Sequence, residues 1–163
     1  VPAILAGFIS PLAGSEAWNT FDGKIVGAMN TIFELGSAMP SDMHAPSREF
    51  YDAYKKAYGK EIQAGHGPAP SYESVYILKE AIERAKSIDP DAIVVELEKT
   101  DRMGVMGRVK FDEGHQAIYG FDPKETCVST VFQWTEDGKR TIVFPASIAE
   151  GKIQLPAGLK AVK

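Results

Sequence analysis

Residues 47–85, SREFYDAYKKAYGKEIQAGHGPAPSYESVYILKEAIERA, set two amphipathic patterns around a stretch that suits neither helix nor sheet. In Ser47–Tyr58, the residues Phe50, Tyr51, Tyr54, Ala57 and Tyr58 recur at helical spacing, which predicts a helix with an aromatic face. Pro46 precedes it, and the Ser47 hydroxyl can cap a free N–H of the first turn. Gly59 supplies the left-handed residue that ends such a helix. Ser71–Ala85 repeats the rhythm, with Tyr72, Val75, Tyr76, Leu78, Ile82 and Ala85 on one side and Glu80 four residues before Arg84. Between the two, AGHGPAP holds two glycines and two prolines and reads as a hinge or connector.

Upstream, Val1–Ser10 (VPAILAGFIS) reads as a short buried strand closed by Ser10 and Pro11. Lys24–Leu35 is open between strand, favoured by Ile25, Val26, Thr31 and Ile32, and two turns of helix. Residues 36–46 read as loop. Downstream, Asp89-Pro90 opens a third helix, with Asp as N-cap and Pro at the first helical position. Its apolar positions are Ile93, Val94 and Leu97. Gly104 and Gly107 mark a turn around Val105 and Met106. The last third reads as sheet: Arg108–Phe111, then Val128–Trp134, then Thr141–Phe144, stopped by Pro145. Asp137-Gly138 predicts a two-residue hairpin turn between the last two. The class is α/β.

Composition narrows the function. The chain has 163 residues, 44% hydrophobic and 25% charged, as in a soluble globular domain rather than a disordered chain. No stretch approaches the roughly 20 apolar residues that cross a bilayer. Net charge is −4, with no basic stripe, so no nucleic-acid partner is expected. The single cysteine, Cys127, cannot close an intrachain disulfide, and its apolar surroundings predict a packed thiol. The chain starts at Val1 without a basic segment leading into an apolar core, which suggests processing or a fragment.

Enzyme signatures are missing: no G-x-S-x-G, no Walker A loop, no H-E-x-x-H, no C-x-x-C. His44, His66 and His115 lie in three separate loops without metal-ligand spacing, and FDEGH reads as a polar turn. The expectation is a protein that is not an enzyme and needs no metal or cofactor. A binding site is easier to build. Ligands of open α/β sheets sit beyond the carboxyl ends of strands. The first strand ends at Phe8, Ile9 and Ser10, and Glu16, Trp18, Asn19 and Asp22 follow closely. They offer an aromatic wall, hydrogen-bonding groups and a carboxylate. The competing reading makes Trp18 core and the acids solvated.

The order of segments carries a resemblance. YDAYKKAYGK, YESVYILKEAIERA, GVMGRVKFDEGH and the closing QW…DGK…IVFP, in that order, closely resemble the C-terminal part of type I periplasmic solute-binding proteins, the branched-chain amino-acid group of ABC-transporter receptors. The likeness implies part of a two-lobed α/β fold, with mostly parallel sheets flanked by helices and a C-terminal β-hairpin. It implies that residues 1–64 end the second lobe and 65–70 form an interlobe crossover. Residues 71–130 then return to the first lobe, and 131–163 go back toward the second. It further implies an amino-acid-like ligand, a membrane permease as partner, and a periplasmic or extracellular location, lipid-anchored or soluble. A ligand-sensing receptor or regulatory domain of the same fold is the alternative. Family members are about twice as long, so the missing N-terminal part, or self-association, is expected to complete the sheets. Carried onto this chain, the resemblance puts Phe8, Ser10 and Trp18 on the second-lobe wall. It makes Asp22 the acid for the ligand ammonium, with Glu16 behind it, and brings Tyr72 toward the cleft.

Overall fold

The computed structural model describes residues 3–155. In chain order it contains β1 (Ala6–Gly7), a 3-10 turn (Ser10–Leu12), α1 (Ala17–Thr20), β2 (Met29–Ile32), α2 (Ala45–Tyr58), α3 (Pro68–Ala85) and α4 (Pro90–Leu97). Strands β3 (Asp101–Gly104), β4 (Gly107–Lys110), β5 (Tyr119–Gly120), β6 (Cys127–Val128), β7 (Thr130–Trp134) and β8 (Arg140–Phe144) follow. The strands form two four-stranded sheets, ordered β1-β2-β7-β8 and β3-β4-β6-β5.

Each sheet has its own core. Ile32, Leu35, Phe132, Trp134, Ile142 and Ile148 centre the first, and Ala69, Ile77, Val105, Val109 and Cys127 the second. Phe50 of α2 packs against the second core. The expected mixture of sheets and flanking helices holds. Parallel pairing is limited to β1 with β2 and β5 with β6, the other pairs being antiparallel. Two of the antiparallel pairs, β3–β4 and β7–β8, are hairpins, which must run that way.

Local differences from the sequence reading have identifiable causes. The first strand is short and lies at a sheet edge with Leu5, Ala6 and Phe8 exposed, because it pairs on one side only. Helix α2 begins two residues before Ser47, which leaves Ser47 inside the first turn. Its hydroxyl instead knits the preceding loop, accepting from Ser41 N (3.0 Å) and donating to His44 O (2.9 Å). Gly59, at φ 68°, ends the helix as expected. Helix α3 starts at Pro68, so both prolines of the connector fall in its first turn, where a missing N–H costs little. Its buried stripe is Ala69, Glu73, Ile77 and Ala81, four residues apart, while Tyr72, Val75, Tyr76 and Leu78 face solvent.

The expected strand Val128–Trp134 is two strands in two sheets, broken at Ser129, whose hydroxyl donates to Phe33 O (2.9 Å). The hairpin loop has three residues. Gly138 N donates to Thr135 O (3.1 Å), Thr135 N donates to Lys139 O (2.9 Å), and Gly138 is left-handed at φ 75°. Asp89 caps α4 as predicted, its Oδ1 accepting from the N–H groups of Asp91 and Ala92 (3.1 Å each). Gly104 pairs with Gly107 across the Val105-Met106 turn.

Candidate ligand site

The carboxyl ends of the parallel pair β1 and β2 open on the same side. Asn30 of β2 fixes the exit of β1: its buried Oδ1 accepts from Ile9 N (2.7 Å). Phe8, just past β1, then stacks on Phe33, just past β2, with ring centroids 4.4 Å apart and planes 24° apart. Both rings are 44% exposed. Glu34 follows Phe33 and is only 5% exposed. His66, from the connector between α2 and α3, donates through Nδ1 to Glu34 Oε1 (2.7 Å) and sets its ring edge-on to Phe33 (6.1 Å, 89°). The other carboxylate oxygen, Oε2, is buried and has no protein partner. A cavity of about 320 Å³ lies over this group, lined by Phe33, Glu34, Tyr119 and Ser129. Burial, reinforced by Cys127 and Glu34, raises the Tyr119 hydroxyl well above its ordinary range, so it stays protonated and able to donate.

A larger cavity, about 610 Å³, lies between α2, α3 and β3. Its one fully buried acid, Glu73, is occupied: Oε2 accepts from Arg102 Nε (2.9 Å) and Oε1 from Val105 N (2.7 Å). Size therefore favours that groove, and unsatisfied chemistry favours Glu34. A buried carboxylate oxygen without a donor is costly in the free protein and is satisfied by a cationic ligand. On that ground the smaller cavity is the candidate site.

Of the residues singled out from sequence, Phe8 and Ser10 lie at this end of the sheet, Ser10 opening the 3-10 turn. Trp18 and Asp22 lie at the other end. Trp18 stacks on Trp134 (5.9 Å), whose backbone N–H donates to Ala28 O just before β2 begins and whose indole N–H donates to Leu12 O (3.2 Å). Gly23 and Gly138 press on the Trp18 indole. Asp22 is exposed, at φ 51°, and pairs with Lys24 Nζ (3.4 Å). Glu16 is exposed, and its backbone N donates to Gln63 Oε1 (3.2 Å). Tyr72 lines the larger cavity, with Phe50 at 4.8 Å and Tyr76 at 4.9 Å. Sequence reasoning passed over Asn30, Phe33, Glu34 and Tyr119, and weighed His66 only as a metal ligand. One signal was available: an acid in the apolar run Ile32-Phe33-Glu34-Leu35, at the end of a segment that strand pairing would have placed beside the first strand. Among the described residues no group of three or more His, Cys, Asp or Glu could hold a metal ion.

The candidate site lies beyond the carboxyl ends of parallel strands, where ligands of open α/β sheets bind, in an α/β fold with two sheets. The chain belongs to the periplasmic binding protein family, whose model matches residues 7–139. That family is one of solute-binding proteins. Similar sequences include the Leu/Ile/Val-binding protein homolog 7 of Brucella melitensis, 32% identical over 112 residues, and that of Brucella suis, 30% identical over 112 residues. Each alignment covers 66% of this chain and 26% of the relative, so the chain spans about a quarter of the length of those proteins. Among solved structures, a Silicibacter pomeroyi protein assigned to branched-chain amino-acid ABC transporters matches with a TM-score of 0.71 at 18% identity, covering 93% of this chain and 39% of that one. A leucine-binding protein of Thermotoga maritima matches at 0.59 and 24% identity, covering 86% and 36%. An ABC-transporter substrate-binding protein of Desulfitobacterium hafniense, in complex with Leu, matches at 0.57 and 21%, covering 87% and 36%.

Proposed function

We propose that this chain is the C-terminal portion of an extracytoplasmic solute-binding component of an ABC transporter, and that its ligand is an amino acid or a close analogue. The observation that carries this reading is the Glu34 Oε2 atom, buried and without a donor beside two exposed rings at the ends of parallel strands. An ammonium group supplies up to three donors and a matching charge. The acid is accordingly Glu34 in place of Asp22, with Phe8 and Ser10 on the adjoining wall. The Leu/Ile/Val-binding names of similar proteins favour the same ligand class. No described helix is long and apolar enough to cross the membrane, and in this reading a membrane permease is the partner.

In this reading residues 1–64 and 131–163 belong to one lobe and 71–130 to the other, with 65–70 crossing between them. The two separate cores follow that division except at Phe50, which packs against the second, and Val128, which belongs to the first. Ligand-detected NMR with L-leucine and L-phenylalanine at millimolar concentration tests the site. Wild type is expected to bind. Glu34→Gln, which preserves shape and a bond to His66, is expected to bind at least about tenfold more weakly, the size of one charged hydrogen bond. Asp22→Asn is expected to bind as wild type does. Undiminished binding by Glu34→Gln refutes the assignment.

A further inference from the structure

Taking Glu34 as the cation-binding acid, we infer that the ligand carries an aromatic ring next to its positive group, so that the ring extends the Phe8–Phe33 stack while the ammonium meets Glu34 Oε2. Three observations meet at one place. The Phe8 and Phe33 rings are already stacked and remain 44% exposed. The Phe33 orientation is held from the side by the edge-on His66 ring. The open cavity beside Phe33 and Glu34 is also lined by a further ring, Tyr119.

Paired exposed phenylalanines cost hydration free energy until something covers them, and a flat π surface covers a flat π surface best. Ring faces also carry negative quadrupole charge, so an ammonium lying between the Phe33 face and the Glu34 carboxylate is attracted by both. A branched aliphatic side chain would bury less ring area and gain no offset-stacking geometry. Apart from the Tyr119 hydroxyl, which can donate, the polar groups leave little else to read. The Ser129 hydroxyl is spent on Phe33 O, and His66 Nδ1 on Glu34 Oε1. The cavity, about 320 Å³, falls at the small end of the range for small-molecule pockets.

The test separates ring from charge. The chain is titrated with 2-phenylethylamine, 3-methylbutylamine and 3-phenylpropionate, and binding is followed by ligand-detected NMR and by the shift in melting temperature. The phenyl amine is expected to bind roughly three- to tenfold more tightly than the branched amine, the range for one added aromatic pair. The phenyl acid, lacking the cation, is expected not to bind. Phe33→Leu should bring the two amines to equal affinity, with Phe8→Leu as the second variant should circular dichroism show Phe33→Leu misfolded. If the two amines bind equally in wild type, or the preference survives both variants, the ring inference falls. Equal binding that is lost in Glu34→Gln overturns it while leaving the acid assignment standing. Absence of binding by either amine refutes both.

Discussion

A β-carbon on Gly138 would lie 2.9 Å from Trp18 Cε2, on a backbone held at φ 75°. Both the left-handed conformation and the contact demand glycine there, so Gly138→Ala is expected to destabilise the chain by about 1–3 kcal/mol, read from urea unfolding. An unchanged midpoint would mean that the hairpin loop gives way freely. Cys127 makes a second residue-level prediction. Burial first, and Glu73 second, push its thiol up to about 12 from an ordinary value of 9.0. At pH 8 the native thiolate fraction is then on the order of one in ten thousand. A thiol reagent is expected to label the unfolded chain readily and the native one only as fast as it opens. The raised value also sets a pH window. This part of the stability is present below the unfolded thiol value near pH 9 and is lost as pH rises toward 12. The packed thiol was readable from its apolar neighbours in sequence. For Glu34 the sequence shows only an acid in an apolar run, since its partner His66 is 32 residues away and the burial of one oxygen is set by the fold.

At the scale of elements, helices were legible where end signals and spacing agree, and misread where long-range partners decide. The Asp89 cap is local chemistry and stands as expected. Asp89→Ala should cost about 1 kcal/mol of stability. For α3, periodicity alone chose the aromatic side, Tyr72, Val75, Tyr76 and Leu78, as the packed face. The helix instead buries Glu73, at 1% exposure, because Arg102 Nε and Val105 N satisfy its two oxygens. Those donors come from β3 and the turn after it, which no helical pattern can announce. Removing this acid leaves Arg102 short of one partner and Val105 N without a carboxylate to donate to. Glu73→Ala is expected to cost about 3–5 kcal/mol, more than any exposed ion pair such as Lys79–Glu83 would. A loss under 1 kcal/mol would show that the second core holds without it. Similarly, Val128–Trp134 looked like one strand because apolar content is continuous there. The break at Ser129 comes from pairing, since Val128 lies beside Gly120 and Thr130 beside Ile32.

For the whole molecule, the question is what covers the apolar surface that these elements leave in water. The chain spans about a quarter of the Brucella relatives, and its faces are uneven. Val75 of α3 is 66% exposed, with Leu78 on the same helix, and Phe121, just past β5, meets Phe144 at the end of β8 edge to face (5.5 Å), both rings exposed. Strand β1 offers only two residues of pairing and a free edge. Large exposed rings together with an unpaired strand edge favour association, since each buried apolar Å² gains about 25 cal/mol and each unpaired edge group gains a partner. The isolated chain is therefore expected to sediment as a concentration-dependent oligomer at micromolar concentration. Val75→Lys with Leu78→Lys should move it toward monomer if α3 supplies the contact, and Phe121→Ser with Phe144→Ser if that ring pair does. A segment supplying the preceding part of a Leu/Ile/Val-binding relative, added in trans, should compete with self-association and lower the average mass per copy of this chain. A stable monomer across the whole concentration range, with no binding of a hydrophobic dye, would show that these surfaces are content in water. The idea that another stretch of polypeptide completes the sheets would then be abandoned, while the Glu34 site, built from residues of the chain itself on β1, β2, the connector, β5 and Ser129, would be judged separately by its own titrations.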